Sequence, residues 1–338
     1  MIVVPRPPAA DPLEAFTEDE VRACVAYAKP RQRWALAGYA ADLATLAVLA
    51  LSGPGRALVR VVAGLAGGWA PGRVMLATLA VLAVRAAVGL PFSLRAYRQD
   101  LRAGLATQRL GGFLRDWAKG RGVGLVLTLV PLTALVLGAR GEPPGWPWVA
   151  AAVAVLLVLA LAVAGPVLIE PLFNRFTPLE PGPLRARLLE LAATMEVPVR
   201  DVLWGTIGAA ALAALSVLAA VALFELDGVR AGLGIGGLGD PLAPPGLLLL
   251  GAVGGLAVAP AASAISRWAE ARADWVALEV TRDPATAVAV ERRLALENRA
   301  DLRPNRLLLV MFASHPSTMA RIAQAWLWAE RHQEARRH

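Results

Sequence analysis

Cysteine, histidine and charge are all scarce in this sequence. A single cysteine, Cys24, allows no intramolecular disulfide and no cysteine-rich metal site. Charged residues make up only 18% of the 338, whereas soluble domains carry about a quarter. Hydrophobic residues reach 57%, and the mean hydropathy is +0.54. The first twenty residues, Met1–Glu20, are proline-rich and acidic and lack an apolar core, so no cleavable signal peptide is expected.

The apolar excess lies in blocks, not in alternation. A bilayer core takes roughly 20 apolar helical residues, and six stretches qualify: Trp34–Ser52, Arg73–Phe92, Gly122–Ala139, Pro147–Ile169, Thr206–Phe224 and Gly246–Ile265. Pro166 and Pro260 fall near span ends, where a kink or a helix exit is tolerable. Ala57–Trp69 is too short to cross and reads as an interfacial segment or outer loop. The expected class is therefore an all-α membrane protein, a six-span helical bundle with helical extensions outside the bilayer.

The net charge of +8 raises the question of nucleic acid. Its distribution answers otherwise, because the arginines concentrate in alternate loops: Arg95–Arg121, Arg175–Arg200, the segment before Trp34 and the tail after Ser266. The positive-inside rule then places both termini in the cytoplasm. Anionic lipid suffices as the partner of this basic surface, and no nucleic-acid partner is expected. The loop Gly232–Gly239 (GLGIGGLG) matches GxGxxG, but it lies between two spans and leads into Asp240-Pro241. A dinucleotide fingerprint needs a preceding strand and a following helix; a flexible turn is the expectation.

Segments 1–33, 34–169 (four spans), 170–205, 206–265 (two spans) and 266–338 divide the chain. In the last, Ser266–Thr281 continues the sixth span as a helix, with Glu270 and Asp274 four apart on one face. By spacing alone this pair is a solvated face, a set of bridges to nearby arginines, or a functional pair. Asp283-Pro284 reads as an N-cap with proline at the first helical position, opening a helix to about Ala300. Leu307–Phe312 is a short apolar run leading to Ser314-His315-Pro316, and Pro316-Ser317 opens a final helix. Taken alone, His315 is an ordinary structural or exposed histidine. Asp42 and Arg85 stand inside spans. They pair with each other, or else they mark a transport path, the least favoured reading.

Several of these pieces together resemble the type 1 CAAX prenyl endopeptidases, integral membrane zinc metalloproteases. The matching segments are Gly89–Ser93 (GLPFS), Leu110–Lys119 (LGGFLRDWAK), Glu170–Leu179 (EPLFNRFTPL), Ser266–Leu278 with its ExxxD, and Ser314-His315-Pro316 with Arg321. The resemblance runs from about residue 15 to residue 330. It implies that Glu270 is a zinc ligand and that Asp274 steadies the site behind it. It also implies that His315 and Arg321 position the substrate and its transition state, and that a hydrophobic or prenylated peptide is the partner alongside the lipid bilayer.

The family's other two zinc ligands are the histidines of HExxH, whose glutamate is the general base. That motif is absent: the three histidines are His315, His332 and His338. Leu184–Val199 resembles the amphipathic helix and lead-in to the first strand of the protease domain. Asp201-Val202-Leu203 should open its first strand, yet Trp204-Gly205-Thr206 passes directly into the fifth span. The resemblance thus implies a deletion between Leu203 and Thr206. It also implies a start after the family's usual first span, giving six spans in place of seven. A full zinc ligand set contributes roughly 10 kcal/mol or more, which one carboxylate cannot replace. The expectation is a metalloendopeptidase homologue that is inactive as written and binds no zinc. The alternative is a pseudoprotease serving as a membrane scaffold for peptide or lipid.

Overall fold

A computed structural model describes residues 11–141, 143–175, 177–194 and 199–337. Within these residues the elements are helical throughout. They run α1 (Glu18–Leu51), α2 (Gly53–Gly64), α3 (Ala70–Arg102), α4 (Leu110–Gly141), α5 (Trp146–Ala164) and α6 (Pro183–Thr194). There follow α7 (Val199–Phe224), α8 (Asp227–Leu233), α9 (Pro244–Thr281), α10 (Pro284–Glu297), α11 (Arg306–Phe312) and α12 (Thr318–Arg337). Six helices among the described residues are long and apolar enough to cross a membrane, one for each stretch read from the sequence. Without water, a spanning segment must satisfy its own backbone, so apolar runs of this length close into helices.

Several helices outrun the bilayer. At 1.5 Å per residue, the 34 residues of α1 extend about 51 Å against a hydrocarbon core of about 30 Å. The polar part before Trp34 therefore projects beyond the apolar part. Pro30, Pro91, Pro131 and Pro260 are all accommodated inside helices, so Pro260 is not a helix exit. At Pro166 the α-helix does end: α5 stops at Ala164 and a π turn, Gly165–Ile169, follows.

One expectation fails. Asp201-Val202-Leu203 is not a strand but part of α7, which begins at Val199 and runs unbroken into the fifth span. A strand needs a neighbour to pair its N–H and C=O groups. None is present among the described residues, so the backbone bonds within the helix instead. The helix expected within Leu184–Val199 is α6, which ends at Thr194; residues 195–198 of the expected lead-in lie outside the described ones.

The chain divides into two compact units. One comprises residues 37–97 and 107–254, and its core has two apolar clusters. The first gathers Val74, Val136, Phe224, Leu233 and Leu247. The second gathers Leu46, Leu49, Val59, Ala77 and Val81. The segment expected at the interface contains most of α2, capped by Ser52, whose Oγ accepts from the Gly55 N–H at 3.0 Å. Gly55 is required: a Cβ there would lie 2.1 Å from the Val48 carbonyl oxygen of α1. In the Gly232–Gly239 loop, the Asp240 carboxylate accepts from the Gly236 and Leu242 N–H groups. A Cβ on Gly239 would come within 2.7 Å of Arg140 Cα. These glycines serve a tight turn and a close backbone approach. Arg85 Nε and an Arg85 terminal nitrogen donate to the two Asp42 oxygens at 2.8 and 2.7 Å, so the two intramembrane charges do pair.

The other unit comprises residues 11–36, 98–106 and 255–337 as described. Phe16, Val21, Cys24, Ala295, Leu302 and Ile322 form its main cluster. Leu278, Ala325 and Trp328 form a smaller one. Its N-terminal helix opens with a capping box: Thr17 Oγ1 accepts from the Glu20 N–H, and a Glu20 oxygen accepts from the Thr17 N–H at 2.9 Å. Glu20 also pairs with Arg292 of α10. The Thr17 N–H, with help from Arg292, holds the Glu20 carboxyl below its ordinary value. A depressed carboxyl stabilises the fold above its unfolded pKa, and that stability disappears as pH falls through the folded value. Glu20→Gln should therefore lower the melting temperature at neutral pH and flatten its decline on the acid side. Thermal unfolding across a pH series checks both effects.

Candidate active site

The 38 residues of α9 reach about 57 Å, leaving roughly half beyond a 30 Å core. Glu270 and Asp274 lie on that polar extension, past the apolar window that ends at Ile265. Three neighbouring elements bring other side chains to their face. Asn305 caps α11, accepting from the Leu307 N–H at 2.8 Å. At the other end of α11, Arg267 of α9 donates to the carbonyls of Leu309 and Ala313 at 2.8 and 2.6 Å. The Leu309 carbonyl also accepts the Ala313 N–H at 3.2 Å, so Arg267 clasps the end of α11 and ties the chain entering Ser314-His315-Pro316 to α9. The last helix, α12, opens with Ser317 Oγ accepting from the Ala320 N–H at 3.2 Å. Arg321 follows one turn later. Gln324 then donates to the Ala271 carbonyl at 2.6 Å, holding α12 alongside α9.

All four residues singled out in the sequence meet at one place. His315 Nδ1 contacts Glu270 Oε1, and an Arg321 terminal nitrogen lies 3.4 Å from Glu270 Oε2. Arg321 Nε is 3.0 Å from Asp274 Oδ2, but the N–H is not aligned as a hydrogen bond, so this contact is Coulombic. Arg321 also donates to Glu291 of α10 at 2.8 Å. Three carboxylates thus surround one guanidinium, whose rigid fork suits it to several oxygens at once. Burial pushes the Asp274 carboxyl up; Arg321 opposes this and Glu270 adds to it. His315 stands at the rim, with 72% of its side chain exposed.

Glu291, Arg267 and Gln324 were not foreseen. Glu291 shares no motif with Glu270, and only the packing of α10 on α12 turns it toward Arg321. Among the other histidines, His332 stacks on Trp328, has Nδ1 2.9 Å from the Trp328 carbonyl oxygen and Nε2 3.7 Å from Glu279 of α9, so it stands apart from the Glu270 cluster. His338 lies outside the described residues. In the other unit, Lys119 donates to the Leu172 carbonyl at 2.9 Å, joining the LGGFLRDWAK and EPLFNRFTPL segments.

Residues 5–175 match the family model described as CAAX prenyl protease N-terminal, five membrane helices, and residues 199–329 match peptidase family M48. The chain belongs to the M48 membrane peptidase family. Among the described residues, the N-terminal match holds four helices long and apolar enough to cross a membrane. The chain is 26% identical over 300 residues to the metalloprotease YhfN of Bacillus subtilis, covering 70% of each. It is 34% identical over 115 residues to a CAAX prenyl protease 1 homolog of Arabidopsis thaliana, and 31% over 117 residues to one of Oryza sativa. Those two matches cover 33% of this chain and only 26% of each plant protein. In fold it is similar to the crystal structure of S. mikatae Ste24p, with a TM-score of 0.73 at 15% identity, covering 95% of this chain and 92% of that one.

An M48 metalloprotease implies zinc, and the residues here do not fit it. A catalytic zinc takes three protein ligands plus water. The histidine pair that would supply two of them is missing from the sequence. Of the candidate donors, Glu270 is engaged by His315 and Arg321. Asp274 and Glu291 are engaged by the same guanidinium. All three carboxylates share Arg321, and no nitrogen donor pair stands beside them to complete a zinc ligand set.

Proposed function

We propose that this chain is an M48 membrane peptidase homologue without peptidase activity, whose segment carrying HExxH is deleted at the Leu203–Thr206 joint. The observation that carries the reading is the engagement of both Glu270 carboxylate oxygens, one by His315 and one by Arg321, in a sequence without a histidine pair. Peptide hydrolysis in this family's manner needs a metal-activated water and a general base. With neither, Glu270 and Asp274 serve as anchors for Arg321.

A second reading rests on His315. Its exposure beside the anchored Arg321 leaves an imidazole and a guanidinium at a rim, where a hydrophobic or prenylated peptide would meet hydrogen-bonding groups. One experiment addresses both readings. The purified full chain is assayed for zinc content, and a fluorescent prenylated peptide is tested for cleavage and for binding. The expected result is zinc far below one equivalent and no cleavage, with or without chelator. Stoichiometric zinc together with chelator-sensitive cleavage would overturn the proposal. Saturable binding weakened by His315→Ala supports the scaffold reading, and absence of binding refutes it.

A further inference from the structure

Within the membrane-spanning unit, α3 and α4 border a cavity of about 680 Å³, a volume in the range of ligand pockets. Its apolar walls include Leu79, Leu82 and Ala83 of α3 and Leu125 of α4. On the α4 side Gly120, Gly122 and Gly124 add no side chain, and nothing stands within 4 Å of where each Cβ would be. The crevice therefore stays open between two spans.

Its polar end has unequal charges. Arg85 is held by Asp42, and Asp116 has Lys119 at 3.6 Å. Arg121 has no carboxylate partner among the described residues. It lies over the Trp117 ring, 5.3 Å from the centroid, and its terminal nitrogen is 3.4 Å from where a Cβ on Gly89 of α3 would be. The guanidinium thus reaches from α4 across to α3. Beside it, Trp117 Nε1 is closed off from solvent, with no acceptor among the described residues, so the crevice presents the guanidinium and not the indole N–H. With the nearby carboxylates Asp42 and Asp116 already facing Arg85 and Lys119, the charge of Arg121 makes this end of the cavity favour an anion.

A cation without a carboxylate partner above an apolar crevice suits an amphiphile with an anionic head. Basic pockets between spans bind lipid headgroups in this way. We infer that the α3–α4 crevice is a binding site for an anionic membrane phospholipid. The phosphate lies against Arg121, and an acyl chain lies between Leu82 and Leu125. A free phosphate would satisfy the polar end but leave the apolar walls uncovered. A phospholipid covers both, and a crevice between two spans opens to the bilayer that supplies it.

The test uses the full chain in nanodiscs of equal parts phosphatidylglycerol and phosphatidylcholine, with retained lipid identified by native mass spectrometry. Phosphatidylglycerol should be retained over phosphatidylcholine by about tenfold or more, a difference of about 1.4 kcal/mol. Arg121→Gln should remove that preference. Leu125→Trp, which fills the crevice without touching its charge, should lower retention of the lipid itself. Arg140→Gln, at the far end of α4, should change nothing, and inorganic phosphate should not compete. Equal retention of the two lipids, or an unchanged preference in a monodisperse Arg121→Gln protein, would overturn the assignment. Displacement by inorganic phosphate would do so too, by making this a free-anion site.

Discussion

Arg321→Ala is expected to lower stability by about 2–3 kcal/mol, read as a drop in the thermal unfolding midpoint of the detergent-solubilised protein. Removing one partner from a buried, hydrogen-bonded charge set typically costs roughly 3–5 kcal/mol, because the other charges remain uncompensated. Here the arginine is a quarter exposed and its partners between 18% and 30%, which places the effect toward or below the lower end of that range. Three carboxylates would lose their common cation. Arg321→Lys should be intermediate, keeping the charge but not the fork that reaches three oxygens. The informative control is the cycle with Glu291→Gln. In the Arg321→Ala background, neutralising Glu291 relieves repulsion, so the double variant should lose less than the sum of the singles. Arg293→Ala on α10, paired only at the surface with Glu297, should leave the unfolding midpoint nearly unchanged. Equal effects at Arg293 and Arg321 would show that the cluster is merely a surface network.

Arg85→Leu should have an effect at least as large, about 3 kcal/mol or more. Asp42 and Arg85 lie near the midpoints of the first two spans, and a lone carboxylate at the centre of a spanning helix costs about 2.5–3.5 kcal/mol on insertion scales. The bidentate pairing at 2.7 and 2.8 Å offsets that cost in the native protein. The pair need not be stabilising relative to an apolar one, however. Asp42→Leu combined with Arg85→Leu should recover most of the loss, as replacement of buried ion pairs by apolar side chains generally does. Monodisperse yield and thermal unfolding of the two singles and the double read this directly. A double variant no better than Arg85→Leu would mean that Arg85 acts through something other than Asp42.

The spans were legible because the bilayer imposes a length and a composition on each one separately. Nothing distant enters the decision for Thr206–Phe224 or Gly246–Ile265. Helix starts were legible for the same reason. Asp283 caps α10 through the Thr286 N–H at 2.9 Å, an interaction three residues long. Asp201-Val202-Leu203 misled because strand character was carried over from the family resemblance, while a strand exists only where another chain segment pairs with it. At the site, Glu270 and Asp274 share a face by helical repeat alone, and His315 and Arg321 were reached by resemblance. Glu291 was reached by neither, since it enters through the packing of α10 against α12.

The sequence by itself determined six helical spans, a scarcity of histidine that rules out HExxH, and the placement of ExxxD on a polar extension of the sixth span. These follow from local hydrogen bonding, helical periodicity and residue counts. Only the tertiary structure decided which cation serves which carboxylate. Arg321 lies 51 positions from Glu270 and 30 from Glu291, and Arg85 lies 43 from Asp42. Any of the many arginines could satisfy a carboxylate electrostatically, and the packing of helices selects the one that does.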